Sequence, residues 1–287
     1  MSYEKMGGGD LDYEPCQYGS SRLLFRGPKK DLEEGDVAFL GGTETYGKFI
    51  PQPFPDLVER ELSRPCVNLG FVNAGVDVFL AEPSVLDIAR KARVTVVQVM
   101  GAQNMSNRFY KVHPRRNDRF LGASNMMRMV FREIDFSEFH FTRHMLGTVC
   151  ARAPDRYSMV RDELRMAWAA RMKLLLNTIG GKILLLWFAD HMPDMSLGMS
   201  GLGPDPLFVD RHMLEELRPL VDDIVEVVAS DAALAKGVEG MNCTQMERVA
   251  AQRMLGPAAH TEASEVLVGS LERALTKKGP PKSGPLG

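Results

Sequence analysis

The sequence predicts an α/β fold, a three-layer, doubly wound structure built around a mainly parallel sheet. Continuous apolar runs of strand length occur at residues 37–40, 66–69, 94–100, 183–188 and 224–228. Continuous rather than alternating apolar runs are typical of strands that are covered on both faces. Helical patterns separate these runs, and strand–helix alternation with right-handed crossovers produces a doubly wound sheet.

Helical periodicity predicts helices at residues 54–62, 84–92, 155–179 and 258–275. In each of them the apolar residues recur at spacings that place them on one face. Ser84 is expected to cap the second helix, because a serine hydroxyl accepts a hydrogen bond from a free backbone N–H at a helix start. The third helix is expected to end at Gly180-Gly181.

Residues 31–276 are predicted to form a single α/β domain, preceded by an N-terminal extension at 1–30. The stretch at about 105–155 is helix-prone without a strand pattern, so we expect a helical insertion there. Residues 191–210 are rich in Met, Gly and Pro, which predicts a long loop near the carboxyl edge of the sheet. Residues 277–287 consist mainly of Gly, Pro and Lys, which predicts a disordered tail.

Composition limits the classes of partner and compartment. A formal net charge of -2 argues against nucleic acid as the main partner. No apolar run has the length of a membrane helix, and the amino terminus has no secretory signal pattern, so no membrane partner is expected. The four cysteines are scattered without a CxxC spacing, which favours a reducing, cytoplasmic location. The oligomeric state is left open.

Hydroxyl, amide and imidazole side chains follow the predicted strands. Gly41-Gly42-Thr43 follows the first strand, Asn68-Leu69-Gly70 ends the second, and Gly101-Ala102-Gln103-Asn104 follows the third. His260 lies near the start of the last helix. Because the carboxyl ends of parallel strands meet at one edge of a sheet, where open α/β folds bind ligands, we expect these groups to meet there.

This order of motifs resembles that of the SGNH (GDSL-like) hydrolase superfamily. The resemblance covers roughly residues 36–104 and 256–275 and implies an SGNH-like or flavodoxin-like fold. It implies that Thr43 is a nucleophile and His260 its general base, since a hydroxyl needs an adjacent base. It also implies that the Gly42 N–H, the Gly70 N–H and the Asn104 amide stabilise an oxyanion.

Three positions depart from that pattern. Gly42 stands where the superfamily has Asp, Thr43 where it has Ser, and Pro257 where it has the acid that precedes the histidine. Asp190, at the end of the fourth strand, is an alternative acid to orient the imidazole. His191 beside it is a further candidate, because catalytic groups collect at strand ends. A non-catalytic descendant with an intact ligand pocket is therefore the alternative.

The chain as a whole also resembles an alphaproteobacterial family classed only as a domain of unknown function. Stretches at 39–49, 97–109 and 187–191 carry this likeness. That family implies no activity.

A cationic segment follows Asn104. Between residues 107 and 119, five cations and two aromatic residues accompany a single acid, Asp118: Arg108, Lys111, Arg115, Arg116, Arg119, Phe109 and Tyr110. Arginine suits bidentate recognition of carboxylate, phosphate or sulfate. The segment is therefore expected to clamp an anionic group above the site, and the alternative is a solvated loop that pairs with nearby acids.

Two functions are consistent with these observations. The first is hydrolysis or transfer of an ester or acyl group on an acidic small molecule, with a glycan as one candidate substrate. The second is a pseudoenzyme of the same fold that binds an anionic ligand or partner without turnover. Neither needs a cofactor. No metal site is expected, because His140 and His144 share a predicted helix face but lack a suitable third ligand.

Overall fold

The structure, a computed structural model, describes residues 11–30, 37–194 and 201–276. The predicted tail at 277–287 and the central part of the predicted long loop, 195–200, lie outside the described residues.

The strands are, in chain order, β1 (Val37–Gly41), β2 (Cys66–Gly70), β3 (Val94–Gln98), β4 (Tyr110–His113), β5 (Arg116–Ala123), β6 (Ile183–Ala189) and β7 (Asp223–Val228). The helices are α1 (Thr43–Tyr46), α2 (Phe54–Leu62), α3 (Val76–Leu80), α4 (Pro83–Lys91), α5 (Asn125–Val130), α6 (Thr142–Arg152), α7 (Pro154–Ile179), α8 (Arg211–Glu215), α9 (Asp231–Ala235), α10 (Arg248–Ala251) and α11 (Pro257–Thr276). Short 3-10 turns occupy Phe136–Glu138 and Arg218–Leu220.

Five parallel strands form the central sheet, in the order β2-β1-β3-β6-β7. The predicted α/β class with a doubly wound, mainly parallel sheet is confirmed, and each of the five predicted strands is present. The order reverses between β1 and β3, because β2 is added on one side of β1 and the later strands on the other. That point of reversal is where open α/β sheets bind ligands.

Both faces of the sheet are buried, which explains the continuous apolar runs in the sequence. Val37 and Phe39 of β1 belong to a core shared with α2 and α11. Ala38 and Leu40, on the opposite face, belong to a second core shared with α3, α4 and α7. The alternation of side chains along a strand therefore produces three layers, as predicted.

The inserted segment is not purely helical, which corrects the prediction for residues 105–155. It begins with an antiparallel hairpin of β4 and β5, and α5 and α6 follow. Tyr110, Val112 and Phe120 face the core while Lys111 and Leu121 are exposed. This period-two pattern is the signature of a half-buried strand, and the many charged residues between its apolar positions concealed it.

The four predicted helices correspond to α2, α4, α7 and α11, but Ser84 does not cap α4. Pro83 occupies the first turn, where its fixed φ suits a helix, and the Ser84 hydroxyl accepts the Ser20 N–H at 3.0 Å. Within the described part of the extension, Phe25 is fully buried in the main core.

None of the helices in the described part of the chain combines the length and the apolar character that crossing a membrane requires.

Candidate functional site

A cavity of about 420 Å³ opens at the switch point of the sheet. The loops that follow β1, β2, β3 and β6 line it, together with α6, residues 204–206 and the segment before α11. Its polar and charged side chains are Thr43, Glu44, Asn73, Gln98, Gln103, Asn104, Arg143, Asp190, Asp205 and Arg253. The cavity therefore combines amides, carboxyl groups and guanidinium groups at the edge that the fold reserves for ligands.

Gln98, the last residue of β3, organises the glycine turn after β1. Its Oε1 accepts the Gly42 N–H at 3.1 Å, the Thr45 N–H at 3.2 Å and the Thr45 hydroxyl at 2.5 Å. Position 41 must be glycine, because a Cβ there would lie 2.1 Å from Thr45 Oγ1. Gly42 was predicted to donate to an oxyanion, but Gln98 already uses its N–H.

The other two predicted oxyanion donors are also engaged within the protein. The Gly70 N–H donates to Asn68 Oδ1 at 2.9 Å, and Gly70 does not line the cavity. Asn104 does line it, but its Nδ2 donates to the Asn73 carbonyl at 3.1 Å. Its Oδ1 accepts the Thr142 hydroxyl at 2.8 Å. Both glycine N–H groups are therefore used within the protein, while Asn104 Nδ2, which carries two hydrogens, keeps one of them beyond its bond to Asn73.

Thr43 lies on the cavity wall, and among the described residues its hydroxyl is hydrogen-bonded only to Asn73. Its Oγ1 accepts the Asn73 N–H at 3.0 Å and donates to Asn73 Oδ1 at 3.4 Å. A backbone amide and a neutral side-chain amide cannot take up the hydroxyl proton. This environment orients Thr43 for hydrogen bonding and does not activate it.

His260 is the clearest correction to the predicted site. It is buried between the sheet and α11, stacked on Phe54 and edge-on to Phe188, and it does not line the cavity. Its Nδ1 accepts the Phe54 N–H at 3.1 Å, which caps the otherwise free N-terminus of α2. Burial lowers the pKa of the imidazole to about 3, and the charge of Arg26 adds to this shift. His260 is therefore not placed to act as the base for Thr43.

Asp190 and His191 are adjacent at the end of β6, and only Asp190 lines the cavity. His191 Nδ1 lies 2.7 Å from Asp190 Oδ1, so this carboxylate orients an imidazole, although not that of His260. The His191 ring packs edge-on against Trp187, whose indole N–H donates to the His191 carbonyl at 2.8 Å.

Four charged residues of the wall were not predicted from the sequence, and three of them, Glu44, Arg143 and Asp205, interact with one another. Burial raises the pKa of the Glu44 carboxyl, and the charge of Asp205 raises it further. Arg143 of α6 donates to Asp205 at 2.6 Å. Glu44 stands beside Thr43 in the glycine motif and could have been noticed there. No sequence signal connects Arg143 with Asp205, because folding alone brings these segments together.

Arg253 presents an accessible donor to the cavity, whereas Gln103 Oε1 is enclosed by the protein. Gln103 Oε1 is buried and has no hydrogen-bond partner, while its Nε2 donates to Asp205 Oδ1 at 3.3 Å. A buried acceptor without a donor costs free energy unless a water or ligand satisfies it. Arg253 is exposed at the cavity wall. Among the residues that the structure describes, no carboxylate pairs with it.

The cationic segment does not form the predicted clamp, because none of Arg108, Arg115 and Arg116 lines the cavity. Arg108 forms an ion pair with Glu163 of α7, which is almost fully buried. Arg115 and Arg116 are exposed around the hairpin turn. The hairpin instead reaches the rim of the site through Asp118, which accepts from Asn73 Nδ2 at 3.3 Å.

Across residues 11–30, 37–194 and 201–276, no three His, Cys, Asp or Glu side chains come together as a metal site requires.

A family model described as "Domain of unknown function (DUF6473)" matches residues 1–275. No curated protein matches the chain.

Among solved structures, the chain is similar to a lipase from a goat rumen metagenome, with 13% identity and a TM-score of 0.41 over 84% of this chain and 97% of that one. It is similar to a family two carbohydrate esterase from Clostridium thermocellum, with 11% identity and a TM-score of 0.44 over 88% and 67%. A third is an acetylxylan esterase from Geobacillus stearothermophilus, with 14% identity and a TM-score of 0.40 over 85% and 95%. These likenesses are distant, so function has to be inferred from the cavity itself.

Proposed function

Because this chain belongs to the DUF6473 family, which prescribes no activity, we propose a function from the chemistry of its cavity. The protein binds a small polyhydroxylated ligand of the carbohydrate class, and Thr43 contacts that ligand without attacking it. One observation supports the proposal that Thr43 does not attack the ligand. The base that acyl transfer through Thr43 would need, His260, accepts the Phe54 N–H and does not line the cavity. The Gly42 and Gly70 N–H groups are likewise engaged within the protein.

The class of ligand follows from the mixture of acceptors and donors on the wall. The carboxylates of Asp190 and Asp205 accept hydrogen bonds, while Arg143 and Arg253 donate them. A hydroxyl group can do both, so a molecule with several hydroxyls satisfies such a wall at many points. An anionic group on the ligand is not required, because Arg143 is paired with Asp205 and the cationic segment lies outside the cavity.

Binding is tested with a panel of xylose, glucose, N-acetylglucosamine and glucuronic acid, measured by saturation-transfer NMR. We expect at least one sugar to bind the wild type, and Arg253→Ala to weaken that binding at least about tenfold, the effect of losing one hydrogen bond from a charged donor. The double variant Arg115→Ala with Arg116→Ala should bind as the wild type does, since both residues lie outside the cavity. If no sugar of the panel binds, or if the Arg253 variant binds unchanged, the ligand class is wrong.

A separate measurement tests the role of Thr43. We expect p-nitrophenyl acetate turnover by the wild type to equal that of Thr43→Ala, because the Asn73 groups that bind the Thr43 hydroxyl cannot take up its proton. Turnover by the wild type that disappears in Thr43→Ala would instead establish the alternative, an ester or acyl hydrolase with Thr43 as nucleophile. Circular dichroism of both proteins controls for folding.

A further inference from the structure

The exposed side of α7 carries an ordered row of residues that the cavity does not use. We call Asp155, Met159, Asp162, Met166, Ala170 and Lys173 the α7 stripe. Their spacings of three and four residues place them on one helix face. The opposite face, with Val160, Leu164 and Trp168, is fully buried. The helix has 26 residues and is therefore about 39 Å long.

Two large apolar side chains of the stripe face solvent. Met159 is 48% exposed and Met166 is 58% exposed, one heptad apart. Beside them, a groove of about 500 Å³ runs between α7 and α8, and Ala169, Ala170 and Met213 form its apolar part. A methionine knob beside small residues is the arrangement in which helices interdigitate. Charged and imidazole side chains line the rest of the groove, namely Asp162, Arg165, Lys173, His212 and Glu216.

We propose that the α7 stripe pairs with the same stripe of a second copy of this chain, in antiparallel orientation about a two-fold axis at Met166. The charges of the stripe favour a second, antiparallel copy of this chain as the partner. Asp155 and Asp162 lie on the N-terminal side of Met166, and Lys173 lies on the C-terminal side. Antiparallel pairing brings Lys173 of each copy opposite Met159 of the other, between the two aspartates.

A parallel pair would place aspartate against aspartate and lysine against lysine, which is unfavourable. The stripe is therefore complementary to itself in one orientation, as a two-fold interface requires. The charged groups of the stripe also remain available for contacts with a second copy. Asp155 pairs with Arg156, Asp162 with Arg161 and Lys173 with Glu216, but these three side chains of the stripe are still 72%, 57% and 42% exposed. Each can accommodate a second partner at the rim of the interface.

Size-exclusion chromatography with light scattering tests the proposal on the full chain, up to about 200 μM, since one helix pair buries an area at the low end for specific interfaces. We expect a dimer for the wild type and a monomer for Met166→Asp, because two carboxylates then meet at the axis. Met246→Asp is the matched control, since Met246 is also exposed but lies outside the stripe. A monomeric wild type, or a dimer that Met166→Asp leaves intact, overturns the proposal.

A charge exchange tests the orientation. Lys173→Glu should raise the dissociation constant at least about tenfold, because the new carboxylate lies between two aspartates of the second copy. Adding Asp155→Lys and Asp162→Lys to the same chain should restore the dimer. If the triple variant is folded by circular dichroism but stays monomeric, the antiparallel arrangement is wrong. The stripe contributes no residue to the cavity, so these outcomes are independent of the sugar-binding test.

Discussion

Replacing Gln98 with leucine is expected to destabilise the protein by about 3–5 kcal/mol and to abolish ligand binding. The Gln98 carbonyl accepts from three donors of the glycine turn, namely two backbone N–H groups and the Thr45 hydroxyl. Leucine has a similar volume but cannot accept a hydrogen bond, so buried donors lose their partner at about 1–3 kcal/mol each. The turn that presents Thr43 and Glu44 to the cavity would lose its anchor at the same time.

Urea unfolding followed by circular dichroism measures this loss. Gln252→Leu is the matched control, because Gln252 is exposed and lies outside the cavity; its effect should stay within about 0.5 kcal/mol. A change below about 1 kcal/mol in Gln98→Leu would contradict the anchoring role.

The sequence was sufficient to predict the strands of the central sheet but not the hairpin of the insertion. Strands covered on both faces must be continuously apolar, so β1, β2, β3, β6 and β7 could be read directly from their composition. β4 and β5 have one exposed face, and their arginines and lysine read as a loop. The outward position of Lys111 and Leu121 appears only once Tyr110 and Phe120 are known to face inward.

For the site, the sequence indicated the edge of the sheet but not the hydrogen-bond partners of the residues at that edge. Strand ends identify the sheet edge, and Thr43, Asn104 and Asp190 line the cavity at that edge. Which donors remain free depends on long-range partners, such as Gln98 for the Gly42 N–H, and no local pattern specifies those. The ion pair of Arg108 with Glu163, which is 55 residues away, is hidden for the same reason.

His260 shows that a residue type near the right helix start does not define a role. Ser264, Leu267 and Leu271 follow it at spacings of three and four, and all are buried on the inner face of α11. That periodicity places the imidazole in the helix–sheet core. The pattern was visible in the sequence, and it predicts a structural histidine.

Lowering the pH from 7 to about 4.5 is expected to cost the wild type about 2–3 kcal/mol of folding free energy through His260 alone. The imidazole has a pKa of about 3 in the folded chain, against 6.5 in its ordinary environment. Between these values the unfolded chain binds a proton that the folded chain does not. The stability that the neutral ring provides is therefore complete above about pH 6.5 and is lost as the pH falls toward 3.

The hydrogen bond from Phe54 explains why the folded protein rejects this proton. Nδ1 accepts the Phe54 N–H, so the neutral ring carries its proton on Nε2, and protonation of Nδ1 would set one donor against another inside an aromatic core. His260→Gln keeps an acceptor but does not titrate. We expect this variant to be less stable than the wild type at pH 7 but to lose about 2–3 kcal/mol less than the wild type on acidification. Urea unfolding of both proteins at the two pH values measures how much folding free energy each one loses on acidification. Subtracting one loss from the other removes the contribution of the carboxyl groups, because both proteins contain them. Equal losses in the two proteins would mean that His260 is not the neutral cap of α2.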